Sequence, residues 1–218
     1  ALGFDVAVEQ DAGINSRISN QAYQDAGATI SADIASLLGS ADILLKVQRP
    51  LLAGEGEINE LALMKRGTLL IAMLSPYAEP SAIQQYADAG ITALTLEFVP
   101  RITRAQSMDV LSSQSNLAGY RAVLEAINVY DRAMPMMMTA AGTIAPARVM
   151  VLGAGVAGLQ AIATAKRLGA VVEVFDTRPA VKEEVMSLGA KFVEVEGAAD
   201  ASKAGGYAVE QTEEFLQK

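Results

Sequence analysis

The chain has 218 residues and, with 17 Lys+Arg against 25 Asp+Glu, a formal net charge of −8 at pH 7. Its composition, 51% hydrophobic and 19% charged, fits one or two globular domains with a core to bury, and its acidity lacks the basic footprint of a nucleic-acid binder. With neither Cys nor His, disulfides, thiolate nucleophiles, Cys-based metal sites and the usual base near neutral pH are excluded, and no metal site is expected.

In chain order, one joint recurs. A helical stretch ends on Gly and is followed by a short β-branched run: Leu2-Gly3-Phe4-Asp5-Val6-Ala7-Val8, then Ala26-Gly27-Ala28-Thr29-Ile30, then Ala89-Gly90-Ile91-Thr92-Ala93-Leu94. It returns as Leu168-Gly169-Ala170-Val171-Val172-Glu173-Val174 and Leu188-Gly189-Ala190-Lys191-Phe192-Val193. Gly suits the left-handed position that closes a helix, and the β-branched residues favour extended chain. Two more strands are expected at 42–47 and 68–73. Helix and strand alternating at this spacing predict a parallel sheet with helices on its faces. Ala1-Leu2, without Met, reads as the last turn of a helix, so the chain is expected to be a fragment.

Lys46, in Lys46-Val47-Gln48-Arg49-Pro50, ends one predicted strand. It either faces a ligand cleft or, with Arg49, simply caps the strand end in solvent. The strand predicted at 92–98 runs into Pro100-Arg101-Ile102-Thr103-Arg104-Ala105-Gln106-Ser107-Met108-Asp109. Polar groups at a strand end and a helix start lie where αβ proteins place ligands. One reading is an ion pair of Asp109 with Arg101 or Arg104 plus a helix-start carboxylate. The other is a clamp for a nicotinamide carboxamide, which has donors and acceptors to satisfy.

A domain boundary is expected here, giving an N-terminal αβ domain over 1–104 and a second domain over 105–218. The second begins with a long helix over 105–132. Ser112, Ser115, Gly119, Ala122 and Ala126 make a narrow face, and Leu117, Tyr120, Leu124 and Ile127 a bulkier one. Two packing faces suit a helix at a junction between domains. Met134-Pro135-Met136-Met137-Met138 ends it, and its methionines read as adaptable core packing.

The weakly polar run 149–165 is long enough to raise the question of a membrane helix, but Gly153, Gly155 and Gly158 interrupt it and basic residues bracket it. It reads instead as a buried strand, Arg148-Val149-Met150-Val151-Leu152, the loop Gly153-Ala154-Gly155-Val156-Ala157-Gly158, and a helix over 159–168. Gly153 permits the tight turn, Gly155 lets a pyrophosphate reach the backbone, and Gly158 lets helix and strand close up. The pyrophosphate would lie at the positive end of the helix. The next strand, over 171–175, delivers Asp176, 18 residues after Gly158. A carboxylate there accepts ribose hydroxyls and repels a 2′-phosphate, favouring NAD over NADP. A G-x-G-x-x-G alone is weak; here strand, loop, helix, strand and acid follow in order. The competing reading is an αβ unit whose glycines serve only the turn. Arg178 either stacks on adenine or caps the helical region after Pro179. The chain ends after this domain's third strand, so the second Rossmann-like domain is expected to be truncated.

These residues carry a family resemblance along essentially the whole chain. It is most specific in Arg101 to Asp109, in Ser112-Ser113-Gln114-Ser115-Asn116-Leu117-Ala118-Gly119-Tyr120-Arg121 and in Met136-Met137-Met138-Thr139-Ala140-Ala141-Gly142-Thr143. It continues in Gly153 to Gly158 and in Ala204-Gly205-Gly206-Tyr207-Ala208. The chain resembles the NAD(H)-binding domain of the alpha subunit of proton-translocating NAD(P) transhydrogenases, a family related to alanine dehydrogenase. The resemblance implies an α/β fold of two Rossmann-like parallel-sheet domains joined by the long helix. It implies that Arg101, Ile102, Thr103, Gln106, Ser107, Met108, Asp109 and Ser112 hold the nicotinamide end, with Arg101, Gln106 and Asp109 nearest the chemistry. Gly153, Gly155, Val156, Gly158, Asp176, Thr177, Arg178 and Gly206 would contact the rest of NAD(H).

It further implies a homodimer docked on a beta subunit that binds NADP(H), and on a membrane proton channel. The setting would be the cytoplasmic face of a bacterial inner membrane, or the matrix side in a mitochondrion, with no direct membrane insertion of this segment. Relative to the family, the first strand with its basic loop and everything after Lys218 are missing.

The absent histidine separates two relatives. Oxidising an amino acid releases a proton as well as a hydride and needs a base. Alanine dehydrogenases use a His after the strand that here reads Leu70-Ile71-Ala72-Met73-Leu74-Ser75, although Lys46 aligns with their substrate-binding Lys. Hydride transfer between two nicotinamides needs only positioning. The expectation is therefore hydride transfer between NADH and NADP⁺ on a partner domain. An alanine-dehydrogenase-like enzyme and a non-catalytic NAD-sensing module are the rivals.

Overall fold

The computed structural model describes residues 3–100, 102–195 and Glu213. The chain divides into two compact units, Ala1–Asp109 and Val110–Lys218.

In the first unit β1 (Ala7–Glu9), α1 (Asn20–Asp25), β2 (Thr29–Ser31), α2 (Ile34–Ser40) and β3 (Ile43–Gln48) follow in turn, then α3 (Glu60–Leu63), β4 (Leu69–Met73), α4 (Pro80–Asp88) and β5 (Thr92–Thr95). Helix starts are written in the sequence. Ser19, Asp33 and Asn59 each accept the backbone N–H of the third residue on, and Pro80 opens α4. The strand pairs described here are all parallel, but the strands divide between two sheets, β1-β2 and β3-β4-β5, rather than forming one. Central β4 buries Leu70 and Ala72 in a core with Leu38, Leu74, Ala82, Tyr86 and Ile91.

The second unit runs α5 (Val110–Asn128), β6 (Met137–Thr139), β7 (Gly142–Ile144), β8 (Arg148–Leu152), α6 (Val156–Arg167), β9 (Val171–Phe175), α7 (Lys182–Ser187) and β10 (Lys191–Phe192). Its parallel sheet has the order β10-β9-β8. Val172 and Val174 of β9 bury against Ile162 and Ala165 of α6 and Val185 of α7. Gly119 of α5 lies against α6 so closely that a Cβ there would stand 2.0 Å from the Ala157 carbonyl oxygen, which accounts for the narrow face of that helix.

All five predicted Gly joints, at Gly3, Gly27, Gly90, Gly169 and Gly189, have positive φ. The run 149–165 is a strand and a helix, and among the described residues no helix is long and apolar enough to cross a membrane.

Four expectations are corrected. The strand expected over 92–98 stops at Thr95, and Leu96–Phe98 turn as a 3-10 helix. The helix expected over 105–132 is two pieces, a 3-10 helix over Thr103–Met108 and α5 from Val110 to Asn128. Asp109 breaks them apart with ψ 85°, outside helical space. On the bulky face of α5, Leu117 and Tyr120 are exposed, whereas Ile127 packs on the core. Of the methionines that follow α5 only Met134 is core; Met136, Met137 and Met138 are exposed, the last two on β6, which among the described residues pairs antiparallel with β7 alone. A run of consecutive Met has no period to show which side faces in.

Candidate functional site

The second unit places the predicted Gly loop between β8 and α6. At the end of β8, Gly153 takes φ +95°, turning the chain off the sheet while its N–H donates to the Phe175 carbonyl oxygen at 2.8 Å. Gly155 stands at the N-cap of α6 with φ −77°, and no side chain caps the helix. A Cβ on Gly155 would meet nothing within 4 Å, so the backbone faces open space where an anion would approach. A Cβ on Gly158 would lie 1.9 Å from the Gly153 carbonyl oxygen. The three glycines thus have three distinct reasons: a positive φ, an open approach and a close crossing. Val156, in the first turn of α6, is exposed.

Asp176 follows β9 with its side chain only 6% exposed. One carboxylate oxygen accepts the Ala154 N–H at 2.7 Å and the other the Arg178 N–H at 2.8 Å. The Arg178 guanidinium donates to both oxygens, through Nε at 3.0 Å and Nη2 at 2.8 Å. Arg178 therefore turns back on Asp176, an outcome neither sequence reading anticipated; half-buried Thr177 lies between them. Burial by itself would raise the Asp176 pKa, but the guanidinium and the two backbone donors outweigh it and hold the carboxyl at about 2. The loop thus sets an ionised carboxylate, an acceptor, beside backbone N–H donors at the start of α6.

That lowered pKa has a consequence for stability. A carboxyl whose folded pKa lies below its ordinary 3.8 contributes stability that is complete above that value and is lost as pH falls through the folded value. The Asp176 contribution should therefore be constant above about pH 5 and disappear between about pH 4 and pH 2. Comparing acid unfolding of the wild type with Asp176→Asn should show two curves that converge at the acid end of this window.

In the first unit, taken by itself, the predicted polar cluster forms a compact turn. Buried Ala105 anchors the 3-10 helix, and Ile102, Thr103, Gln106, Ser107 and Met108 are exposed around it. Asp109 is half-buried and donates its N–H to the Gln106 carbonyl oxygen at 3.2 Å. Half-buried Ser112 belongs to the first turn of α5 in the second unit. Arg101 and Gly206 lie outside the described residues.

Lys46 and Arg49 are not exposed caps. Lys46 pairs with Glu60, which also accepts the Leu51 N–H at 2.7 Å. Arg49 makes a two-point pair with Glu55, both contacts at 2.7 Å. The Arg49 guanidinium, together with the Leu52 N–H, holds the Glu55 carboxyl down at about 2.

Sequence reasoning passed over Glu97. Its carboxylate accepts the Ser75 N–H at 2.7 Å, the Leu74 N–H at 3.1 Å and the Thr95 hydroxyl. The only sequence signal was an acidic residue in an otherwise apolar strand end, Leu96-Glu97-Phe98-Val99.

Two family models match the chain: the alanine dehydrogenase/PNT N-terminal domain over residues 1–118 and the corresponding C-terminal domain over 122–218. An NAD(P) transhydrogenase subunit alpha polypeptide of Rhodospirillum rubrum is 55% identical over 219 residues, covering 100% of this chain and 57% of that protein. The chain thus spans little more than half the length of that relative. Among solved structures, a transhydrogenase from Sinorhizobium meliloti superposes with TM-score 0.80 at 56% identity, covering 88% of this chain and 56% of that one. An L-alanine dehydrogenase gives 0.71 at 26% identity, covering 90% and 54%.

Proposed function

The chain belongs to the alanine dehydrogenase/PNT family, and on that premise we propose that it is the NAD(H)-binding portion of a proton-translocating NAD(P)⁺ transhydrogenase. The observation that carries the dinucleotide reading is the open approach at Gly155 joined to Asp176 through the Ala154 N–H. When bound, NADH supplies the hydride. Gly153, Gly155, Val156 and Gly158 would hold the pyrophosphate on bare backbone, and Asp176, flanked by Thr177 and Arg178, would accept the ribose hydroxyls. The turn with Arg101, Ile102, Thr103, Gln106, Ser107, Met108 and Asp109, together with Ser112, would hold the nicotinamide end, and Gly206 would add a further contact. Arg101, Gln106 and Asp109 orient the ring; no residue needs to take a proton at the reacting carbon.

The acceptor is NADP⁺ on the beta subunit, and the working assembly is a homodimer of this portion docked there and on a membrane proton channel. Its place is the cytoplasmic face of a bacterial inner membrane, or the matrix side in a mitochondrion. The identity with transhydrogenase alpha subunits favours this reading over alanine oxidation. So does the lack of any histidine, and so does the pairing of Lys46 with Glu60. The complete protein with its beta-type partner should catalyse hydride exchange between NADH and an oxidised NAD analogue when NADP(H) is present. Steady NADH production from NAD⁺ and L-alanine would replace it with the amino-acid dehydrogenase reading. NADH binding without exchange would leave only a sensing module.

The turn can be tested separately. Asp109→Asn and Gln106→Ala should each lower turnover by about 10- to 100-fold while NADH affinity changes by less than about threefold, since positioning dominates at this end. Turnover intact in both variants would reduce the cluster to capping and ion pairing.

A further inference from the structure

We propose that Glu97 is a positioning residue, a carboxylate clasp that fixes the start of the 102–109 turn to the end of β4 and thereby sets where Gln106 and Asp109 stand. The proposal rests on the reading of that turn as the nicotinamide-contacting element. Glu97 lies just past edge strand β5 and reaches across to the neighbouring strand, gathering the Ser75 and Leu74 N–H groups and the Thr95 hydroxyl on one carboxylate. Three donors from two strand ends converge on one half-buried side chain.

Three further observations point the same way. Ser75 has φ +51°, a left-handed conformation that a non-Gly residue keeps only when its surroundings hold it there, and its N–H is the one bonded to Glu97 at 2.7 Å. The rings of Tyr77 and Phe98 meet at 5.5 Å between centroids, a second tie between the same two segments, and both rings are exposed. Core packing therefore does not explain it. Pro100 restricts the chain after Phe98, the Ile102 N–H closes on the Pro100 carbonyl oxygen at 2.9 Å, and buried Ala105 anchors the far side. A turn tied at both ends keeps its polar groups where they were set. The donors also outweigh the effect of burial, so the Glu97 carboxyl stays below its ordinary range and the clasp is ionised at neutral pH.

The test uses the full-length protein assembled with its beta-type partner. Glu97→Gln keeps the volume but turns an amide N–H₂ toward backbone donors. It should lower kcat by about tenfold or more while the Kd for NADH moves by less than about threefold, because displacement of an orienting group acts on turnover. Adding Ser75→Gly relieves the left-handed residue, so Glu97→Gln/Ser75→Gly should recover thermal stability without recovering kcat. If kcat returns in step with stability, Glu97 only supports folding and the proposal is wrong. Asp109→Asn and Gln106→Ala are run alongside. A slow Asp109→Asn beside a Glu97→Gln enzyme of normal rate removes the clasp alone, whereas normal rates in both Asp109→Asn and Gln106→Ala remove the reading of the turn and the clasp with it. Should Glu97→Gln not fold, Thr95→Val deletes one donor and should cost about threefold in kcat at unchanged Kd; an unchanged kcat there overturns the clasp.

Discussion

Asp176→Asn should weaken NADH binding by about 10- to 100-fold, since hydrogen bonds to a charged group contribute roughly 1.5–3 kcal/mol each. The loss has two sources. The substituted amide can no longer accept from ribose hydroxyls with both atoms, and its N–H₂ would be set against the Ala154 N–H or the Arg178 guanidinium, donors that now share the carboxylate. A nucleotide bearing a 2′-phosphate gains where NADH loses. The negative charge that repels it is gone, and Arg178, no longer neutralised by Asp176, becomes a cation within reach of a phosphate. The gap between NADH and NADPH affinities should therefore narrow from both sides. Fluorescence titration of the full protein with each nucleotide reads both quantities, and unchanged selectivity would refute the adenosine-side role of Asp176.

Gly158→Ala and Gly155→Ala should fail in opposite ways, although they lie three residues apart in one loop. At Gly158 a Cβ would stand 1.9 Å from the Gly153 carbonyl oxygen and 2.8 Å from its carbon, so backbone must move. That degree of overpacking costs about 3 kcal/mol or more and should lower the thermal midpoint by on the order of 10 °C. At Gly155 the φ of −77° suits any residue and a Cβ meets nothing. Stability there should change by less than about 1 kcal/mol, because Ala loses less backbone freedom on folding than Gly does. NADH affinity should nevertheless fall, because the methyl fills the space through which a pyrophosphate reaches the helix N–H groups. Calorimetry and titration on the same pair of variants separate the two roles. A stable Gly158→Ala would remove the close-crossing explanation.

The elements legible in the sequence were those with a period or a fixed punctuation. Each Gly followed by β-branched residues marked a helix end and a strand, and the Gly loop with Asp176 fell in order because every step has a short-range cause. What stayed hidden depends on partners distant in the chain. Leu96-Glu97-Phe98 continues a β-like pattern, but the Glu97 carboxylate is taken up by the Ser75 and Leu74 N–H groups, 22 and 23 residues earlier. The break at Asp109 was visible in principle, because Asp favours the position before a helix, but the small-residue stripe that runs on through α5 masked it. The exposed β6-β7 hairpin had no local signal beyond a Thr-Ala-Ala-Gly turn. Arg178 had several conceivable partners and took the nearest carboxylate. The residues of the polar turn alone left the clamp and the ion pair equally open.

The Lys46–Glu60 pair bears on how such a scaffold can be repurposed. Introducing an imidazole after β4 would leave the Lys46 ammonium still engaged by Glu60. Nor can the carboxylate be deleted cleanly, since Glu60 also secures the Leu51 amide, and the segment it organises carries the Arg49–Glu55 pair as well. Removing either partner alone would strand the other half-buried charge, so a change of role at this position would require both residues to change together.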